Sequence, residues 1–289
     1  MSAADEPTYE AADGLEVTLD GRVLRLVLNR PDKRNALNDP IMFGLNDALD
    51  TANRDERVRA VVISGAGDHF CGGADIVARN DAKRAPELRG AEGPSDEKPA
   101  RPRVGSIQRR VPSTAHRLIP LVTSVQIPVV CKVQGWAAGI GLHLAAAADF
   151  TVAAEDATFW EPFSTRGFTP DSGGTWLVPR RVGETRARDL LLLGRKLTGI
   201  EAAQWGLVHE AVPGAELDAA TEALVDRLAS GPTVSLGFTK WLLREGATTS
   251  LAEHLQNEAL ALELSSRSED FREGLAAFVQ KRDPDFKGR

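Results

Sequence analysis

Cysteine is scarce in this chain. Cys71 and Cys131 are its only two among 289 residues, which excludes the multi-bridge framework that staples small secreted domains. Both lie in apolar or Gly-rich surroundings, so free thiols in a reducing cytosol are expected, and with them a cytoplasmic location. Long apolar runs are also missing. No stretch approaches the roughly 20 residues that a membrane-spanning helix needs. The acidic opening MSAADEPTYEAADG lacks the apolar segment of a secretion signal. Positive charge is not in excess, since 35 Lys and Arg face 41 Asp and Glu for a net charge of −6. That argues against a general nucleic-acid binder but leaves room for local basic clusters around a small phosphorylated ligand. His69, His116, His209 and His254 share no ligand spacing, so no metal site is expected. Internal repeats and heptad runs are absent.

What is present suits one large domain, or a core with a smaller annex: 42% of the residues are hydrophobic and 26% charged. Leu15 to Asn29 alternates apolar and polar residues around Asp20-Gly21, which predicts a β-hairpin. Asn38-Asp39-Pro40 predicts the start of a helix reaching about Asn53. Val58 to Gly65 and Pro128 to Gly135 read as buried strands. Between them, residues 79–112 are rich in Arg, Pro, Lys and Glu and read as a mobile excursion or lid. Ser113 to Val125 returns to helical spacing. An Ala-rich helix, the strand FTVAA and the extended piece ATFWEPF follow. Helices are expected over Thr185 to Leu193, Glu216 to Ala229, Thr233 to Arg244, Leu251 to Ser265 and Glu269 to Arg282. The pattern is α/β with a helical annex. It divides into a flexible N-terminus (1–14), a core (15–210) and a C-terminal helical region (211–289).

Two segments are suited to presenting backbone N–H groups. In His69-Phe70-Cys71-Gly72-Gly73-Ala74-Asp75-Ile76, glycines let the main chain turn sharply and approach a ligand. In Gly135-Trp136-Ala137-Ala138-Gly139-Ile140-Gly141-Leu142-His143, a strand runs into a helix start, where N–H groups lack intrahelical partners. Two such donors aimed at one carbonyl would stabilise an oxyanion or enolate. Either loop alone could be no more than a tight turn.

The order of the motifs is more specific. Asn29-Arg30-Pro31 with Asn35-Ala36-Leu37 comes first. Ser64-Gly65 through Gly73-Ala74-Asp75-Ile76 follows, then Ile127-Pro128-Val129-Val130 with Gly135 and Gly139-Ile140-Gly141, then Pro170-Asp171-Ser172-Gly173-Gly174-Thr175. Thr198-Gly199, Ala202 and Trp205-Gly206-Leu207-Val208 come next. Ser268-Glu269-Asp270, Glu273-Gly274 and Phe278 close the series. In this order they resemble the crotonase (enoyl-CoA hydratase/isomerase) family over nearly the whole chain. The string PDSGGTW is similar to that of ring-1,2-epoxyphenylacetyl-CoA isomerases.

The resemblance implies a crotonase-like spiral of ββα units with a C-terminal helical region that forms trimers or paired trimers. It implies an acyl-CoA thioester as ligand, with no cofactor beyond the coenzyme A of the substrate, and neither nucleic acid nor membrane as partner. It places the oxyanion donors at the N–H groups of Ala74 and Ile140. It places coenzyme A near Lys33, Arg34, Ala36, Gly73, Asp75 and Ile76. The two glutamates of the family's hydratases fall at His143 and Phe163, so ordinary hydration is not expected.

Three side chains remain as candidate catalysts. Asp171 matches an acid that shuttles protons in isomerases of the family. Packing beside Trp160, Phe163 and Phe168 is expected to bury it and raise its pKa; the bland alternative is a helix N-cap, with Ser172 competing for that role. His143 is a base titrating near neutrality, or a half-buried helix residue bonded to a backbone carbonyl. Glu161 is expected to share a face with Phe163 and reach the pocket rim, or to be a surface or structural carboxylate. The leading expectation is double-bond or ring isomerisation through an oxyanion-stabilised enolate. The alternatives are a non-catalytic acyl-CoA binding protein and a hydrolase or hydratase variant using His143. Cys71 is expected to be a small packing residue.

Overall fold

A computed structural model describes residues 6–75, 105, 108, 109 and 111–289. The expected 79–112 excursion lies almost entirely outside the described residues, as does Ile76. The chain opens with the hairpin β1 (Leu15–Asp20) and β2 (Val23–Leu28), antiparallel and joined at Gly21, whose φ of 59° is the left-handed conformation that the tight turn requires. Helix α1 (Asp39–Ala52) begins where the Asn38 side chain accepts from the Ile41 N–H, with Pro40 in its first turn. Then come β3 (Ala60–Gly65), α2 (Ala115–Ser124), β4 (Val129–Val133), β5 (Trp136–Ala138), α3 (Ile140–Ala147), β6 (Phe150–Ala154) and β7 (Thr158–Trp160).

The strands form two sheets. One has the order β1-β2-β3-β4-β6 and ends on β9 (Glu210–Val212). The other has the order β5-β7 and ends on β8 (Lys196–Thr198). From β4 to β5, and again from β6 to β7, the chain steps from the first sheet to the second. The fold is therefore a spiral in which the successive pairs β4 with β5 and β6 with β7 each add one strand to each sheet. The neighbours β2 to β3, β3 to β4, β4 to β6 and β6 to β9 are all parallel. Parallel strands are covered on both faces, and β3 is buried at every residue.

The second half is mainly helical: α4 (Gly174–Val182), α5 (Glu184–Leu193), α6 (Gly199–Trp205), α7 (Leu217–Ala229), α8 (Thr233–Glu245), α9 (Leu251–Ser265) and α10 (Glu269–Gln280). Two expectations change here. The stretch expected to be extended through Phe163 stops at Trp160, because Phe163 turns to φ −63°, ψ −50°. Helix α4 is an addition, disguised in the sequence by its N-terminal glycines and internal Pro179. Two contacts link the described part of the N-terminus to the segment after α1. The Tyr9 hydroxyl donates to Asp55 at 2.9 Å, and Arg57 donates to the Pro7 carbonyl. No helix among the described residues is long and apolar enough to cross a membrane.

Candidate active site

One wall of the site is backbone. Cys71 and Ala137 pair as a parallel bridge: the Cys71 N–H donates to the Trp136 carbonyl at 2.8 Å, and the Ala138 N–H donates to the Cys71 carbonyl at 3.0 Å. Ala74 and Ile140 each lie three residues beyond a bridged residue. Leu37 donates to the Gly73 carbonyl and accepts from the Asp75 N–H, so the N–H of Ala74 points away from Leu37. Ile140 is the first residue of α3, where no intrahelical acceptor exists. Among the described residues, neither N–H has an acceptor.

Glycine makes this register possible. A Cβ on Gly141 would stand 2.6 Å from the Cys71 carbonyl oxygen and 2.7 Å from the Cys71 Cβ. Gly139, at φ 51°, carries the chain from β5 into α3. Cys71 is fully buried against this turn, and desolvation pushes its thiol up to about 12. It is a packing group, not a nucleophile.

The other wall is side chain, and here the structure departs from expectation. His143 is wholly buried and makes two side-chain hydrogen bonds. Its Nδ1 lies 2.6 Å from the Ser172 hydroxyl and its Nε2 lies 2.9 Å from Glu161 Oε1. Neither a half-buried helix residue bonded to a carbonyl nor an imidazole open to substrate describes it. Glu161 is equally buried, so it is not a rim carboxylate; its Oε2 has no hydrogen-bond partner among the described residues. Phe163 stacks on the His143 ring, with centroids 5.8 Å apart and planes 3° apart, and its ring lies 3.5 Å from where a Gly139 Cβ would be. Glycine at position 174 makes room for the imidazole, because a Cβ there would fall 2.1 Å from His143 Nε2.

Asp171 is exposed, against the expectation of burial. The Trp160 indole N–H donates to the Gly194 carbonyl, and Lys196 lies 5.0 Å from its ring centroid. Phe168 is itself 42% exposed, although its ring meets Phe163 edge-on. Asp171 does not cap α4 either: Gly173 holds the N-cap position, with no side-chain cap. The Asp171 carbonyl is bonded to His116 Nε2 at 2.6 Å. Ser172, considered only as a competing cap, is the group that sequence reasoning missed. Its partner lies 29 residues away in sequence, and no local pattern encodes that contact.

The residues expected near coenzyme A fall into two kinds. Lys33 and Arg34 are exposed, and Arg34 stands 5.9 Å from the Trp136 ring centroid. Ala36 and Asp75 are engaged within the fold, since Arg30 donates to the Ala36 carbonyl and to Asp75 Oδ2 at 2.8 and 2.9 Å. Gly73, at φ 106°, passes 3.1 Å from the Ala138 carbonyl as measured to a built Cβ.

Comparison with known proteins places this arrangement. The chain matches the family described as enoyl-CoA hydratase/isomerase over residues 19–92 and 103–289. It is 37% identical over 268 residues to the 1,2-epoxyphenylacetyl-CoA isomerase of Escherichia coli K12, covering 92% of this chain and 95% of that protein. It is 33% identical to the 2,3-dehydroadipyl-CoA hydratase of the same organism, covering 95% and 99%. A crystal structure of enoyl-CoA hydratase from Bacillus anthracis superposes with a TM-score of 0.82 at 30% identity, covering 96% of this chain and 100% of that one.

Proposed function

The chain belongs to the enoyl-CoA hydratase/isomerase family, and from that premise we propose that it isomerises an unsaturated or ring-derived acyl-CoA through an oxyanion-stabilised enolate. The observation that carries this reading is the pair of amides at Ala74 and Ile140, without acceptors among the described residues and set three residues beyond one backbone bridge. A thioester carbonyl bound there gains negative charge as an α- or γ-proton leaves. Fixed donors stabilise that charge without reorganising. Phe163 and His143 stand where hydratases of the family carry their carboxylate pair, which argues against efficient addition of water.

Asp171 is the proposed proton shuttle. Its exposure leaves the carboxylate able to meet a substrate carbon, in contrast to the buried Glu161. No cofactor beyond the coenzyme A of the substrate enters this scheme. Assembly into trimers through the C-terminal helices belongs to the same reading. Leu262, Phe278 and Val279 on α9 and α10 are 66%, 84% and 79% exposed, more apolar surface than an isolated helix pair keeps in water without cost. The buried free thiols fit the reducing cytoplasm.

The test is deuterium exchange into the α- and γ-carbons of unsaturated acyl-CoAs in D2O. The wild type is expected to exchange, and Asp171→Asn to do so at about a hundredth of that rate or less with acyl-CoA affinity nearly unchanged. Equal rates in wild type and variant would remove Asp171 from the role. Efficient hydration of crotonyl-CoA, about 10² per second or more, would contradict the isomerase reading.

A further inference from the structure

The buried chain Ser172–His143–Glu161 has no place in an isomerisation run by Asp171, yet it is costly to build. A carboxylate taken fully out of water is penalised by several kcal/mol unless it is paired and bonded. Glu161 has only one of its two oxygens satisfied among the described residues, and that bond goes to a histidine. When the Glu161 carboxyl is ionised it can only accept, and Nε2 then carries the proton in their shared bond. In the neutral ring this leaves Nδ1 with a lone pair, directed at the Ser172 hydroxyl 2.6 Å away. This is the arrangement that activates a serine: a nucleophile within reach of a base, and the base held by a third group. The two ring nitrogens have exchanged roles relative to serine hydrolases, with serine on Nδ1 and acid on Nε2. Proton transfer through an imidazole works in either sense.

The position also suits acyl chemistry. His143 lies three residues after Ile140 in α3, on the same helical face and about one turn from the oxyanion donor. Ser172 lines a cavity of about 510 Å³ that is apolar along Ile119, Pro120 and Leu177 and polar at His116, Arg244 and Glu245; its apolar part is of the kind that accepts a hydrocarbon chain. Gly173 follows it with φ 86° and leads directly into α4, so the serine sits on a sharp turn before a helix.

We infer a second activity for the protein, thioester hydrolysis through an acyl-Ser172 intermediate, with His143 moving the proton and Glu161 as positioning residue. The inference rests on the reading that the ligand is an acyl-CoA. The Ser172 oxygen bonds to the thioester carbon as its proton passes to His143 Nδ1. The carbonyl electron pair moves to the oxygen facing the Ala74 and Ile140 amides. On collapse the C–S bond breaks, and the departing thiolate takes the proton from His143 and leaves as coenzyme A. Water then adds to the serine ester by the same route, His143 takes and returns the proton, and the products are a carboxylic acid and free Ser172.

The test uses butyryl-CoA, which has no double bond to isomerise, and p-nitrophenyl butyrate, which needs no coenzyme A contacts. Thiol and nitrophenol release are followed spectroscopically, and the protein is quenched in acid for peptide mass spectrometry. The expected result is a butyryl adduct on the Ser172 peptide of the wild type, with release at least a hundredfold slower in Ser172→Ala. Glu161→Gln should slow release while leaving the adduct on Ser172. A purely structural hydrogen-bond chain would give no adduct at all. The inference is overturned by the absence of a Ser172 adduct with both compounds, or by release from Ser172→Ala at the wild-type rate. The ester reads Ser172 whether or not acyl-CoA binds, so its failure is separable from failure of the isomerase reading, which deuterium exchange tests.

Discussion

The two walls of the site are made of different material. One is main chain: the Cys71–Ala137 bridge sets the backbone path that leads to the amides of Ala74 and Ile140. The other is side chain: Ser172, His143, Glu161, Phe163 and Asp171. A wall of amides survives almost any substitution that keeps the backbone path, so its requirement falls on glycines such as Gly139 and Gly141. A wall of side chains changes with each replacement, and the proposed function makes the choice of reaction reside there. The chain matches an isomerase and a hydratase at similar identity, and its Ser172–His143–Glu161 hydrogen-bond chain belongs to the side-chain wall.

The largest effect is expected from breaking the backbone wall. Gly141→Ala forces a methyl against the Cys71 carbonyl and Cβ and pushes α3 away from its partner loop. Turnover of an unsaturated acyl-CoA should fall about 10²- to 10³-fold, the scale of losing one oxyanion donor, with overpacking costing about 1–3 kcal/mol of stability. Wild-type turnover in this variant would mean that the two loops need not touch.

The side-chain wall should respond in stability as well. His143→Ala leaves the Glu161 carboxyl buried without its hydrogen-bond partner, at a cost of about 1–3 kcal/mol in denaturant unfolding. Adding Glu161→Leu should recover most of that loss, because the penalty belongs to the stranded carboxyl. If the double variant is as unstable as the single one, the loss comes from the packing of the imidazole against Phe163 and Gly174 instead of from the carboxyl.

How much of this was legible beforehand follows the same division. Local signals served the fold well. Asp20-Gly21 located the hairpin, and Asn38-Asp39-Pro40 located the start of α1. The glycines of both loops marked the backbone wall, since an unusual φ or a close approach leaves a trace in the sequence. Three-residue strands such as β8 and β9 left none, because pairing with neighbours creates them. Helix α4 was hidden by Gly173, Gly174 and Pro179, which ordinarily break helices and here open one and sit within it. On the side-chain wall, neighbours in sequence misled. Phe168 and Trp160 lie near Asp171 along the chain but do not bury it, whereas Ser172 and Glu161 meet through a histidine on a different element.

The smallest expected effect concerns the thiols behind the backbone wall. Burial raises both cysteines, Cys71 to about 12 and Cys131 further. Alkylation at pH 8 should therefore leave both unmodified in the native protein and label both after denaturation. Rapid native labelling of Cys71 would show that the bridge opens to solvent.

In the proposed reaction the Ala74 and Ile140 amides hold a thioester carbonyl. Isotope-edited infrared difference spectroscopy of an acyl-CoA carrying ¹³C at that carbonyl tests it most directly. The bound carbonyl stretch should move to lower frequency than in solution, and Gly141→Ala should abolish the shift. A bound carbonyl that absorbs where the free thioester does would contradict it.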